Sequence, residues 1–153
     1  MLTLLHPAAK FPLLTDLALL VARLVLGVVL IAHGWQKYSE WTVAGTGQSF
    51  AEMGILAPDF SAALVTGAEI IGGVALILGV LTPVFAVVNG VSMIVAALVV
   101  HAEAGIFVED GGYELVAAIF AGLIILAATG GGRFSVDRLL APRSKSARQT
   151  AAA

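Results

Sequence analysis

The 153-residue chain has no cysteine, few charged residues (12%) and few aromatic ones (7%). Without a thiol it can form no disulfide, bind no thiolate-ligated metal or iron–sulfur cluster, and carry no transferable sulfur as a persulfide on its own side chains. Any sulfur chemistry would need a partner or a diffusing substrate. A charged fraction of 12% is about half the soluble average of roughly 25%. The net charge of −2 supplies no basic face large enough to track phosphates, which excludes nucleic acid as a partner.

What is present is apolar surface: 59% of residues are hydrophobic and the mean hydropathy is +1.01. That places the chain with single-domain integral membrane proteins, its main partner being the lipid bilayer. Four apolar runs predict helices over about 16–38, 61–81, 83–101 and 113–129. Each is long enough for a hydrocarbon layer of about 30 Å. The expected fold is all-α, an antiparallel bundle of four transmembrane helices joined by short interfacial helices.

Residues 1–15 form an N-terminal lead, with Thr15 or Asp16 as cap of the first helix, 16–140 the membrane domain, and 141–153 a polar tail expected to be disordered. The first run has no small-residue cleavage site near its end and reads as a retained signal anchor. Val43 to Met53 suits a short interfacial helix beside Trp35, Tyr38, Trp41 and Phe50. Another fits Arg133 to Leu140, capped by Ser135, with Arg133 and Asp137 as an interfacial anchor. Lys10 and the cations at 133, 138, 143, 145 and 148 share the terminal side, so both termini are expected in the cytoplasm.

The first run carries an unusual polar stripe. At about 100° per residue, Arg23, Gly27, His33, Gly34 and Lys37 fall within an arc of roughly 120°. A charge near the bilayer centre costs on the order of 2.5–3.5 kcal/mol, so this face should meet protein, not lipid. The alternative is that Arg23 snorkels to the headgroups. Glu69, the deepest carboxylate, is the natural counter-ion of Arg23 or Lys37. His101 ends the third run and Glu114 starts the fourth, so every helix brings a titratable group to one layer.

These groups have competing readings. His33, Lys37 and Glu69 form a candidate catalytic set, with Arg23, Gln36, His101 and Glu114 as candidate quinone-binding residues. Against this, Glu69 with Arg23 could be a structural ion pair, and His33 a simple interhelical hydrogen bond. His33 with His101 could ligate a haem, but nothing else supports it. His101, Glu103, Glu109 and Asp110 could bind a divalent metal, although a solvated acidic loop has the same composition. Asn89 suits an interhelical hydrogen bond.

Five segments in order, Arg23…Gly27…His33-Gly-Trp-Gln36-Lys37, Phe50-Ala-Glu-Met-Gly54, Glu69-Ile-Ile-Gly72-Gly73…Gly79, Gly111-Gly-Tyr-Glu114 and Gly130-Gly-Gly-Arg133-Phe-Ser-Val-Asp137, resemble the DoxX family of small bacterial membrane proteins. The resemblance spans about 16–140. It implies a four-helix membrane bundle, a place in the cell membrane and an association with redox work, including thiosulfate:quinone oxidoreductase subunits and relatives that bridge soluble redox and sulfur-transfer proteins. Thr82-Pro83 departs from relatives that often carry a basic residue between the second and third helices.

Three functions follow as expectations. One is a quinone-linked redox subunit with no intrinsic cofactor, in which Glu69 and His33 move protons while Arg23 or Lys37 stabilises oxyanion charge. Another is a non-catalytic anchor for a soluble redox or sulfur-transfer protein. The last is a small-solute or ion pathway, which would require a homo-oligomer because four helices enclose little space.

Overall fold

The computed structural model describes residues 11–141. Helix α1 runs Pro12–Ser39, α2 Val43–Glu52, α3 Pro58–Leu78, α4 Thr82–Val95, α5 Glu114–Thr129 and α6 Val136–Leu140. A π-helical turn, Ala96–Val100, prolongs α4, and 3-10 turns occupy Ala102–Ala104 and Val108–Asp110. No strand occurs among the described residues.

Three of the boundaries differ from the sequence expectation, each for a local reason. Helix α1 starts at Pro12, and α3 at Pro58, because proline at the first turn lacks only an N–H that has no intrahelical acceptor. Asp16 is therefore inside α1 and does not cap it. Helix α3 stops at Leu78, not 81, because Gly79 adopts a left-handed conformation (φ +71°) and Leu81 follows with φ +47°. The tail beyond residue 141 and the first ten residues of the lead lie outside the described residues.

Helices α1, α3, α4 and α5 form an antiparallel bundle in which α1 packs on α3, α3 on α4, α4 on α5, and α5 back on α1. Leu30, Leu76, Met93, Ile119, Leu123 and Leu126 fill its core. Val21, Val25, Val28, Ile71, Val87, Val91, Ile124 and Ile125 point outward and stay exposed, a surface that water would not tolerate and lipid does. The segments Pro12–Ser39, Pro58–Leu78 and Thr82–Val100 are long and apolar enough to cross a membrane. The fourth, α5, has 16 residues. At 1.5 Å per residue that is about 24 Å, short of the hydrocarbon thickness of about 30 Å. Glycine-rich loops at both of its ends set that limit, with Gly111 (φ +87°) before it and Gly130 (φ +74°) after it.

Lipid-facing bundles gain little from hydrophobicity between helices, so close packing must hold them. At the α1–α3 crossing, a Cβ on Gly73 would lie 2.6 Å from the Gly27 carbonyl oxygen and 2.7 Å from Ile31 Cγ1. The first obstacle is backbone and cannot turn aside. Gly73→Ala is expected to push α1 and α3 apart and destabilise the bundle by roughly 1–3 kcal/mol. Thermal unfolding in detergent checks this, and Gly67→Ala, where the added Cβ meets nothing within 4 Å, is the silent control.

Candidate functional site

Side chains on an α-helix lean toward its N-terminus. Lys37, near the end of α1, therefore leans back into the bundle, and Glu69 on antiparallel α3 leans up to meet it. Lys37 Nζ donates to both carboxylate oxygens of Glu69, at 2.8 and 3.0 Å. The glutamate side chain is only 4% exposed and the lysine 14%. Gly34, one turn before Lys37, makes room for this approach: a Cβ there would lie 3.0 Å from Glu69 Cβ. His33 lies one helical turn before Lys37 on α1, and its Nδ1 bonds the Val29 carbonyl at 2.9 Å.

The same rule points Arg23 toward the start of α1, which from its position is away from Glu69. Its Nη1 donates to the Gly131 carbonyl at 2.7 Å and its Nη2 to the Phe134 carbonyl at 2.6 Å, with the residue 1% exposed. Arg23 precedes Gly34 by eleven residues, about 16 Å along the axis. It is therefore neither Glu69's counter-ion nor a member of the Lys37 layer. Snorkelling is likewise overturned, because a guanidinium so deeply enclosed is bonded to protein carbonyls.

The remaining expected residues divide. Gln36 reaches Glu40 at 3.4 Å on the exposed side of α1. His101 Nδ1 bonds the Gly111 carbonyl at 2.6 Å, and Glu114 accepts from the Val108 N–H at 2.8 Å. Both thus close the loop between α4 and α5, and their hydrogen bonds do not involve Glu69. The acidic loop forms no metal site: among the described residues no group of three or more His, Cys, Asp or Glu could hold an ion. Asn89 does bridge helices, donating to the Ala68 and Phe85 carbonyls at 3.2 and 3.0 Å.

A second polar cluster, at the opposite end, was only partly visible in the sequence. Asp137 accepts the backbone N–H groups of Leu81 (2.7 Å) and Thr82 (2.9 Å), so it caps α4 and ties α6 to the α3–α4 turn. Asp16 accepts the Arg133 N–H at 2.9 Å and lies 3.8 Å from its Nε. Ser135 caps α6 by accepting the Arg138 N–H at 3.2 Å, as expected. Arg133 and Asp137 are thus elements of a folded clasp beyond a simple interfacial anchor. The glycine run flagged the turn, but no spacing rule pairs position 16 with 133, or 81 with 137.

Burial alone would raise the Asp137 carboxyl, but the N–H groups of Thr82 and Leu81 and the charge of Arg23 outweigh it and hold the group below its usual value. A lowered carboxylate contributes stability above its unfolded pKa of about 3.9 and loses it as pH falls through the lower folded value. The clasp is therefore expected to hold at neutral pH and loosen in acid. Melting temperatures measured from pH 6 down to pH 3 should fall more steeply below about pH 4 for the native chain than for Asp137→Asn.

Against this geometry, the sequence profile of the DoxX family matches residues 18–102, which hold most of α1 and all of α2, α3 and α4. The chain belongs to the DoxX family. The inner membrane protein YqjF of Escherichia coli is 34% identical over 127 residues, covering 83% of this chain and 95% of its own. An uncharacterised membrane protein of Mycobacterium tuberculosis is 33% identical, covering 80% of each chain. CatD of Bacillus subtilis, which carries a provisional oxidoreductase name, is 29% identical over 58% of this chain and 63% of its own. No solved structure matches this DoxX protein significantly.

Proposed function

We propose that this DoxX protein is a subunit of a redox complex in a bacterial inner membrane, with both termini cytoplasmic, and that a quinone headgroup docks at the Lys37–Glu69 layer. The observation carrying this reading is the ion pair itself, enclosed between α1 and α3, with His33 one helical turn before Lys37. Reducing a quinone by two electrons requires two protons, and this layer offers three groups able to exchange them. Lys37 gives two N–H bonds to Glu69 and retains a third donor for a carbonyl oxygen that gains negative charge. The oxidoreductase name of CatD supports the same chemistry.

The chain has no cysteine to carry electrons and no dinucleotide-binding glycine motif, so in this reading the electrons come from a substrate that reacts directly or from a partner protein. The test is extraction in mild detergent followed by mass spectrometry of the bound quinone and co-purifying proteins. Stoichiometric quinone that is lost in Glu69→Gln, while the bundle still melts cooperatively, is the expected result. Quinone retained equally by Glu69→Gln and His33→Gln overturns the assignment.

A second reading, a non-catalytic anchor for a soluble redox or sulfur-transfer protein, is favoured by the outer end. There Trp35, near the end of α1, and Trp41, Leu56 and Phe107, on the connecting segments, are exposed. Recovery of such a protein without quinone is the outcome that selects it.

A further inference from the structure

At the clasp end of the bundle, a shallow basin of about 350 Å³ opens between α1, the Gly130–Gly132 turn and α6. Asp16, Gly131, Arg133, Ser135, Asp137 and Arg138 line it. We infer that this basin seats the phosphate of an anionic phospholipid, held by the guanidinium groups of Arg133 and Arg138.

The charges at the site favour an anion. Both carboxylates are already engaged by backbone N–H groups, Asp16 by Arg133 and Asp137 by Leu81 and Thr82. Arg23 lies beneath the floor, bonded to the Gly131 carbonyl. Three guanidiniums against two carboxylates leave one positive charge in excess, which matches a phosphodiester. Arg133 is 67% exposed, and among the described residues the Arg138 side chain makes no ion pair or hydrogen bond. Guanidinium forks suit phosphate oxygens because two parallel N–H donors match two acceptors.

The surroundings select a lipid over a free ion. Leu139 and Leu140 are 82% and 74% exposed beside Arg138, and Phe134 is exposed beside Arg133. These side chains stand at the end of a bundle whose flanks face lipid, where acyl chains begin. An amphipathic segment with arginines next to bare leucines binds where headgroups and chains meet.

The experiment reconstitutes the full chain in nanodiscs of phosphatidylcholine with and without phosphatidylglycerol, then releases it for native mass spectrometry and thermal unfolding. Retained phosphatidylglycerol and a raised melting temperature are expected for the native chain. Each of Arg133→Gln and Arg138→Gln should weaken the preference by about fivefold. Arg138→Gln removes no bond within the described residues, so its melting in pure phosphatidylcholine should match the native chain and separates lost binding from lost folding. Equal retention of both lipids overturns the inference. So does stabilisation by inorganic phosphate alone in phosphatidylcholine, or undiminished preference in the Arg138→Gln protein.

Discussion

Arg23→Ala is expected to lower the stability of the bundle by roughly 3–5 kcal/mol, through two lost hydrogen bonds and an unfilled volume in the interior. The guanidinium donates to the carbonyls of Gly131 and Phe134, and these lie more than a hundred residues away in sequence. Without it the Gly130–Arg133 turn loses its attachment to α1, and a buried carbonyl at Gly131 is left without a donor. Arg23→Lys should recover only part of the loss, because an ammonium cannot span both acceptors with fixed fork geometry. Thermal unfolding in detergent measures the ranking, and limited proteolysis between residues 130 and 136 reports whether the turn has come free. If Arg23→Ala melts with the native protein and the turn stays protected, the arginine does not hold the clasp.

The second large effect is expected from separating Lys37 and Glu69. Removing one partner of an enclosed ion pair costs about 3–5 kcal/mol, whereas replacing both with apolar residues of similar size is often neutral. Lys37→Met leaves Glu69 alone in a site where its side chain is only 4% exposed. Glu69→Leu leaves a lysine whose flexible stem can carry the ammonium toward the membrane surface, so it should cost less. The Lys37→Met, Glu69→Leu double variant should regain most of the lost stability. A double-mutant cycle by thermal unfolding gives the coupling directly. Its functional value lies in the double variant: a stable bundle that no longer retains quinone would show that the pair serves binding, not folding. A double variant that is stable and still retains quinone would remove the pair from the proposed site.

The Lys37–Glu69 layer and the Arg23 clasp also differ in how readable they were. Helical periodicity placed Arg23, Gly27, Gly34 and Lys37 on one face of α1, and that face does meet α3 through Gly27, Gly34 and Gly73. Such a face is a local property of 3.6 residues per turn and needs no tertiary information. The choice of Lys37 over Arg23 as Glu69's partner was open. The lean of side chains toward a helix N-terminus, applied to two antiparallel helices, accounts for it: Lys37 and Glu69 lean together, while Arg23 leans away.

His101 and Glu114 show where a list of titratable groups misleads. Both sit at the expected end of the bundle, yet they satisfy Gly111 and Val108 in the loop that joins α4 to α5. Loop backbone must find hydrogen-bond partners wherever it runs, and a nearby imidazole or carboxylate is recruited for that purpose. Sequence gives the residue types but not the carbonyls and amides that compete for them.

Composition and periodicity alone were enough to establish a helical membrane protein with an inward polar stripe, because lipid exposure and helix geometry act on each short segment separately. The absence of cysteine likewise follows from the chain itself and excludes thiol chemistry without any fold. Tertiary structure alone decided that Asp16 holds the Arg133 amide, that Asp137 caps α4, and that Arg23 binds the turn after α5. Those contacts join segments up to 117 residues apart. Their partners are backbone groups that every residue possesses, so no side-chain pattern in the sequence could single them out.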